Sequence, residues 1–219
     1  MTLNALRSRG IDDLSLIPVP LAPEIRLFLA EDAILFWARL EAEAGRRLPP
    51  PFWASAWIGG QALARYVLDN PAVFAGRRVL DLASGSGLVA IAAAIAGARE
   101  VTANDIDPYA IAAIEMNARV NHVAVRTRWG DLLDGESDGA DVVLAGDILY
   151  SPALAERALP FLSRASERGA LVFVGDPDRG HLPHDWLEAV ASYQVPMAGA
   201  PEDAQIERTA VLTPRGSPS

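Results

Sequence analysis

Residues 78–98, RVLDLASGSGLVAIAAAIAGA, leave this chain few choices of fold. They begin as an apolar run of Val79, Leu80 and Leu82 with Asp81 set inside it. They break into the small-residue turn Ala83-Ser84-Gly85-Ser86-Gly87, then continue as an alanine-rich segment to Ala96, closed by Gly97. Strand, glycine turn and helix in that order make one βα corner of an open α/β sheet. Glycines in the turn allow positive φ and close approach to the backbone. The helix start offers unpaired N–H groups and a partial positive charge, a place for a phosphate or a nucleoside.

Two ligand readings of this corner compete. Gly85-x-Gly87-x-x-Ala90 fits the dinucleotide pattern G-x-G-x-x-A. The wider pattern Asp81-x-Ala83-x-Gly85-x-Gly87 resembles the first motif of class I S-adenosylmethionine (SAM) methyltransferases, an acid followed by three alternate glycines. Ala83 replaces the first glycine. An acid inside the strand suits SAM, whose methionine end carries an ammonium, and a pyrophosphate gains nothing from it. A corner without a ligand would leave a buried-strand aspartate without a partner, which is costly.

Charge and composition narrow the partners. The chain has 219 residues and net charge −9, which argues against a nucleic-acid backbone as partner. The same acidity suits a lysine-bearing protein surface, or serves solubility alone. With no cysteine there are no disulfides, thiolate metal sites or cysteine nucleophile, as fits a reducing, cytoplasmic setting. The opening MTLNALRSRG has no apolar signal-peptide core, and no apolar run is long enough to span a membrane. A monomer is expected. His181-x-x-His184 lies in a loop-like stretch without a metal-site pattern, so no metal is expected.

The chain divides into an N-terminal helical and proline-rich segment (1–50), a domain (51–213) and a frayed tail (214–219). Prolines 18, 20 and 23 exclude a regular helix or central strand over 16–23. Residues 24–44 read as helix, in two pieces around Glu31-Asp32. Further helices are expected over 61–69, 109–121, 153–165 and 186–193, and strands over 100–103, 125–128, 141–145 and 170–174. Residues 195–198 and 206–212 would form a terminal strand pair. The whole is an α/β, doubly wound, mostly parallel sheet.

Several side chains stand where chemistry is expected. Asp105 follows the glycine turn by the spacing that places an acid on a ribose diol. Asp131 either accepts from an adenine amino group or belongs to a simple turn. Trp53 and Trp57 are core filler or a lid. Asp147 and Tyr150 begin the segment after the fourth strand. Asp147 could alternatively cap the next helix. No histidine or lysine comes directly after that strand to serve a nicotinamide dehydrogenase.

Taken in order, PEIRLFL (23–29), PFWASAWIGGQALARYVLDNP (51–71), RVLDLASGSG (78–87), ANDIDP (103–108), GDILY (146–150) and GDPDR (175–179) resemble the electron transfer flavoprotein β subunit lysine methyltransferase family, in its bacterial branch. The resemblance covers residues 16–212 and departs at Ala83 and at Ile58, where a proline is common. It implies a Rossmann-like, seven-stranded SAM methyltransferase fold with one antiparallel terminal strand. It implies SAM, leaving as S-adenosylhomocysteine, held by Trp57, Asp81, Ala83, Ser84, Gly85, Gly87, Asp105, Ile106, Gly130, Asp131, Leu132 and Asp147. Asp147 and Tyr150 match a D-x-x-Y motif beside the transferred methyl. The implied substrate is a protein lysine on electron transfer flavoprotein β subunit, with a ribosomal protein or a small amine as rivals and a non-catalytic SAM-binding module as a remoter reading. An aromatic slot of Phe52, Trp57 and Tyr150 would desolvate the lysine, with Asp147 as orienting acceptor. Arg179 lies in the GDPDR turn on the same sheet edge, where the resemblance assigns it no role and a structural pair with Asp176 or Asp178 is open to it.

Overall fold

A computed structural model describes residues 13–196 and 206–216. β1 (Leu14–Pro18) and β2 (Arg26–Ala30) form an antiparallel hairpin with Leu16 opposite Phe28. α1 (Ala33–Ala44) follows, its start capped by Asp32, which accepts from Ile34 N and Leu35 N. The helix expected over 24–44 is therefore helical only in its second half. Ile25, Leu27 and Leu29 are buried alternately, the period of a strand, although 25 and 29 also fit a helical face. The hairpin is fastened to the rest by two asparagines. Asn117 Oδ1 accepts from Phe28 N at 2.8 Å while its Nδ2 donates to Ser86 O at 2.8 Å, and Asn121 bonds both N and O of Arg26.

α2 (Ile58–Asp69) and the single turn α3 (Pro71–Phe74) precede β3 (Arg78–Leu82) and α4 (Leu88–Ile95). Next come β4 (Glu100–Asp105), α5 (Pro108–Val120), β5 (Arg126–Trp129), β6 (Val142–Gly146), α6 (Pro152–Glu167) and β7 (Leu171–Asp176). β8 (Leu187–Pro196) and β9 (Ile206–Pro214) complete the sheet. Its order is β5-β4-β3-β6-β7-β9-β8. β9 runs antiparallel to both neighbours, and the other six strands run one way.

The helix expected over 186–193 is strand instead. Trp186, Val190 and Tyr193 carry helical spacing, but the segment is a sheet edge paired on one side only, so few of its residues are buried and no clean alternation marks it. Of the expected strand pair, 206–212 is β9, and residues 197–198 lie outside the described residues, as do 217–219 of the tail.

One apolar core joins the sheet to α2, α4 and the β1–β2 hairpin, a second joins it to α6, and a third packs Leu14, Phe36 and Trp53 against α5. The contact that places the site is backbone on backbone. A Cβ on Gly59 would stand 2.3 Å from Gly175 O, and one on Gly175 would stand 2.1 Å from Gly59 O. Gly146 meets the same helix, its Cβ position 2.8 Å from Gly60 Cα. Bare glycine on both sides thus brings the α2 N-terminus onto the carboxyl ends of β6 and β7, where ligands bind in such sheets.

Candidate active site

A cavity of about 520 Å³ opens at those strand ends. Its floor is the βα corner. Ala83 (φ 54), Gly85 (φ 55) and Gly87 (φ 85) all take left-handed backbone, so Ala83 adopts the conformation a glycine would take more readily. Asp81 is buried at the end of β3. Its Oδ2 accepts from Ala90 N at 3.0 Å and from Ser84 Oγ. Burial pushes its carboxyl up to about 7, and Asp105 adds to the rise, against the two hydrogen bonds. Asp105, at the end of β4, accepts from Gly85 N at 2.8 Å and Asp107 N at 2.9 Å, and burial raises it despite these bonds.

Asp131 accepts from Leu133 N at 3.0 Å and pairs with Arg157 at 2.9 Å, which together hold it below the usual carboxylate range. Both residues line the cavity, as do Trp57, Ala83, Ser84, Ile106 and Leu132. Gly87 and Gly130 do not. Gly87 faces away from the cavity: a Cβ there would stand 3.3 Å from Ile114 Cα, so the glycine lets α4 pack on α5. Gly130 is a backbone joint, its N donating to Asp105 O at 3.0 Å and its O accepting from Asn104 Nδ2 at 2.8 Å. Asn104 itself reaches the cavity wall, as do Pro49 and Pro50 of the connector and Arg157, none of which carried a sequence signal.

At the other end stands Asp147, buried, with φ 52. Its Oδ2 accepts from Gly59 N and from Gly60 N at 3.1 Å, and its Oδ1 from Arg179 Nη2 at 3.0 Å. Burial raises its carboxyl, opposed by Arg179 and the two backbone bonds. Asp147 therefore caps α2, 88 residues earlier in the chain, and not α6, whose cap is Ser151. Arg179 pairs with Asp147 rather than with the side chains of Asp176 or Asp178. Asp176 Oδ1 accepts from the backbone N of Asp178 and Arg179, and Asp178 lies 3.5 Å from His184.

Tyr150 is 48 % exposed at the mouth, its ring 5.5 Å from that of Phe52. Phe52 in turn lies 5.7 Å from Trp57, whose Nε1 donates to Phe52 O at 2.8 Å. Trp57 is 42 % exposed, so it is a rim residue. Trp53, 3 % exposed, is the core filler, edge-on to Phe36 and stacked on Tyr109. Among the described residues there is no group of three or more histidine or acidic side chains placed to hold a metal, and no helix long and apolar enough to cross a membrane.

The charge balance tests the two ligand readings. Arg157 and Arg179 are the cavity's cations, and both are paired with an aspartate. Among the described residues Asp81 and Asp105 have no cationic partner. A pyrophosphate would meet the buried Asp81, whereas the ammonium of SAM would offset it.

The chain's resemblances agree with this chemistry. The family model described as ribosomal protein L11 methyltransferase matches residues 61–175. The electron transfer flavoprotein β subunit lysine methyltransferase of Danio rerio is 41 % identical over 197 residues, covering 87 % of this chain and 76 % of the relative. The protein of the same description from Homo sapiens is 39 % identical over 183 residues, covering 80 % and 68 %. Among solved structures, magnesium protoporphyrin IX methyltransferase from Synechocystis PCC 6803, with bound SAM, superposes with TM-score 0.53 at 18 % identity, covering 71 % of this chain and 80 % of that one. TrmN from Thermus thermophilus does so with TM-score 0.50 at 23 % identity, covering 69 % and 48 %. These two share the fold. With more than a third of its residues identical over most of both sequences, the chain belongs to the electron transfer flavoprotein β subunit lysine methyltransferase family of class I SAM-dependent methyltransferases.

Proposed function

We propose that this chain transfers a methyl group from SAM to a lysine ε-amine of a folded protein, with electron transfer flavoprotein β subunit as the substrate. The observation that carries the reading is one continuous cavity, from the uncompensated acids Asp81 and Asp105 to the aromatic mouth of Phe52, Trp57 and Tyr150 beside Asp147. The relatives named for this substrate support its identity. Bound SAM supplies an already activated methyl, so the protein's task is to hold a neutral amine in line with it. In this reading Asp105 receives the ribose hydroxyls and Asp81 the ammonium. The rings at the mouth pack the lysine methylenes and strip water from the amine, which favours its neutral form.

Purified electron transfer flavoprotein incubated with this protein and methyl-labelled SAM should gain label on a lysine of the β subunit, mapped by mass spectrometry. The chain contains no lysine of its own, so self-labelling gives no competing lysine signal. Label on a ribosomal protein only, or on a residue other than lysine, would sink the reading. The match to the ribosomal protein L11 methyltransferase family model makes that protein the control substrate.

Cofactor binding should be pH-linked. Asp81 titrates near 7 in the free protein, above the ordinary 3.8, so its contribution to stability is full below the ordinary value and is lost as pH rises through about 7. A cationic ligand favours the ionised form. Binding of SAM below neutrality should therefore release a proton, and affinity should fall by up to about tenfold per pH unit below 7. Calorimetry at pH 6 in buffers of different ionisation enthalpy measures the proton, and an unchanged apparent enthalpy would refute the linkage.

A further inference from the structure

The site as read holds a contradiction that Arg179 resolves. A lysine amine has pKa of about 10.4 in water and must lose its proton before it can attack. The aromatic mouth lowers that value, but an anionic Asp147 beside the amine would raise it again. Asp147 is not a bare anion. Arg179 Nη2 lies 3.0 Å from its Oδ1, and two helix N–H groups bond its Oδ2. The ion pair is two-thirds sheltered on the arginine side and nearly closed on the aspartate side.

We propose that Arg179 is a positioning residue whose fixed charge neutralises Asp147, so that the carboxylate orients the incoming lysine without holding it protonated. This rests on the lysine reading above. In the step itself the ammonium first gives its proton to water. The amine lone pair then forms the N–C bond as the C–S bond breaks, and its electron pair stays on sulfur.

The neighbourhood fits this role from every side. α2 contributes only the backbone N–H groups of Gly59 and Gly60 at this point. Asp176, behind Arg179, is a second buried anion, and its Oδ2 has no hydrogen-bond partner. Burial lifts its carboxyl to about 6, the charge of Asp147 adds to the rise, and Arg179 opposes it. The guanidinium bonds Asp147, while Asp176 receives only the backbone N of Arg179. Asp178 is turned toward His184, Arg157 is committed to Asp131, and Tyr150 remains a neutral phenol, its pKa raised by burial and by Asp105. Asp81 and Asp105 act from the cofactor end, and Asp81 is offset when SAM binds. Arginine keeps its charge across the whole pH range in which the substrate amine titrates. A lysine there could lose its charge in the pH range where the substrate does, and could itself accept the methyl.

The test is the pH dependence of the single-turnover methylation rate at saturating protein substrate, which reports ionisation in the bound complex. Arg179→Gln should move the rising limb up by about one pH unit or more, with roughly tenfold loss at pH 7 that recovers at alkaline pH. Arg179→Lys should keep the limb near its original position at neutral pH. The double variant Asp147→Asn with Arg179→Gln replaces the ion pair by a neutral pair of similar shape, and should return the limb toward the wild-type position whatever its absolute rate. A loss in Arg179→Gln that is equal at every pH, or a limb that the double variant leaves displaced, would overturn the proposal. Should Arg179→Gln not fold, the double variant's limb decides alone, and a limb displaced from wild type overturns the proposal. Absence of lysine methylation by the wild-type protein would instead refute the function on which the proposal rests.

Discussion

Asp147→Ala is expected to lower protein methylation by about two orders of magnitude or more while leaving S-adenosylhomocysteine affinity within about 1 kcal/mol of wild type. The two effects separate because the acids proposed to receive the cofactor, Asp81 and Asp105, are fixed by bonds of their own to Ala90, Gly85 and Asp107. At the acceptor end Asp147 is the carboxylate proposed to orient the amine. Removing its carboxylate frees the N–H groups of Gly59 and Gly60 and leaves Arg179 as an uncompensated charge at the amine. That costs about 2–3 kcal/mol of stability, less than a fully buried pair because Arg179 is partly solvated. Asp147→Asn separates the causes, since its amide oxygen can still accept from the helix. Measured together, a methylation assay, calorimetry and a thermal melt give the answer. Normal methylation by Asp147→Ala would remove Asp147 from the reaction.

Adjacent glycines in α2 should respond in opposite ways. Gly59→Ala should unfold the protein or leave it insoluble, because the added Cβ would lie 2.3 Å from Gly175 O and 2.6 Å from Asp147 Oδ2. The obstacle is the backbone of a central strand, with no flexible side chain to yield, so the cost is expected above about 4 kcal/mol. Gly175→Ala meets the same contact from the strand side, 2.1 Å from Gly59 O. Gly60→Ala is the contrast. Its Cβ would find nothing nearer than 3.9 Å, its φ is ordinary, and alanine is the better helix former. It should be neutral or slightly stabilising. Denaturant melts of the soluble variants, with expression yield for the others, check the pair. A stable Gly59→Ala protein would mean that α2 can back away from the sheet without harm.

These glycines also show what could be read from the sequence. The βα corner, the place of Asp105 at the end of β4 and the parallel strands were legible because each is set by local pattern. Glycine turns, buried apolar runs and helix caps carry their meaning within a few residues. The packing role of Gly59-Gly60 could not be read, since its partner Gly175 lies more than a hundred residues away and no local period reports close approach. The Asp147–Arg179 pair was hidden for the same reason, and so was the capping of α2 by Asp147. Gly87 and Gly130 looked like ligand contacts because glycine serves packing and ligand approach alike. β2 and β8 were misread where short apolar spacing fitted both periods. An edge strand or a two-stranded hairpin buries too little to enforce clean alternation.

β9 follows β8 in the chain, yet it lies between β7 and β8 in the sheet, antiparallel to both. On the ribosome, residues 187–196 emerge with no strand to pair with, because β8 never touches β7. Until residues 206–214 leave the exit tunnel, β7 keeps a bare edge, and the face of α2 that β9 covers stays wet. The nascent chain therefore passes through a stage with most of its sheet formed and one hydrophobic flank open, when it is a target for chaperones and for edge-to-edge association. Translation must run past the cofactor corner, the aromatic mouth and Arg179 before the sheet that supports them can close.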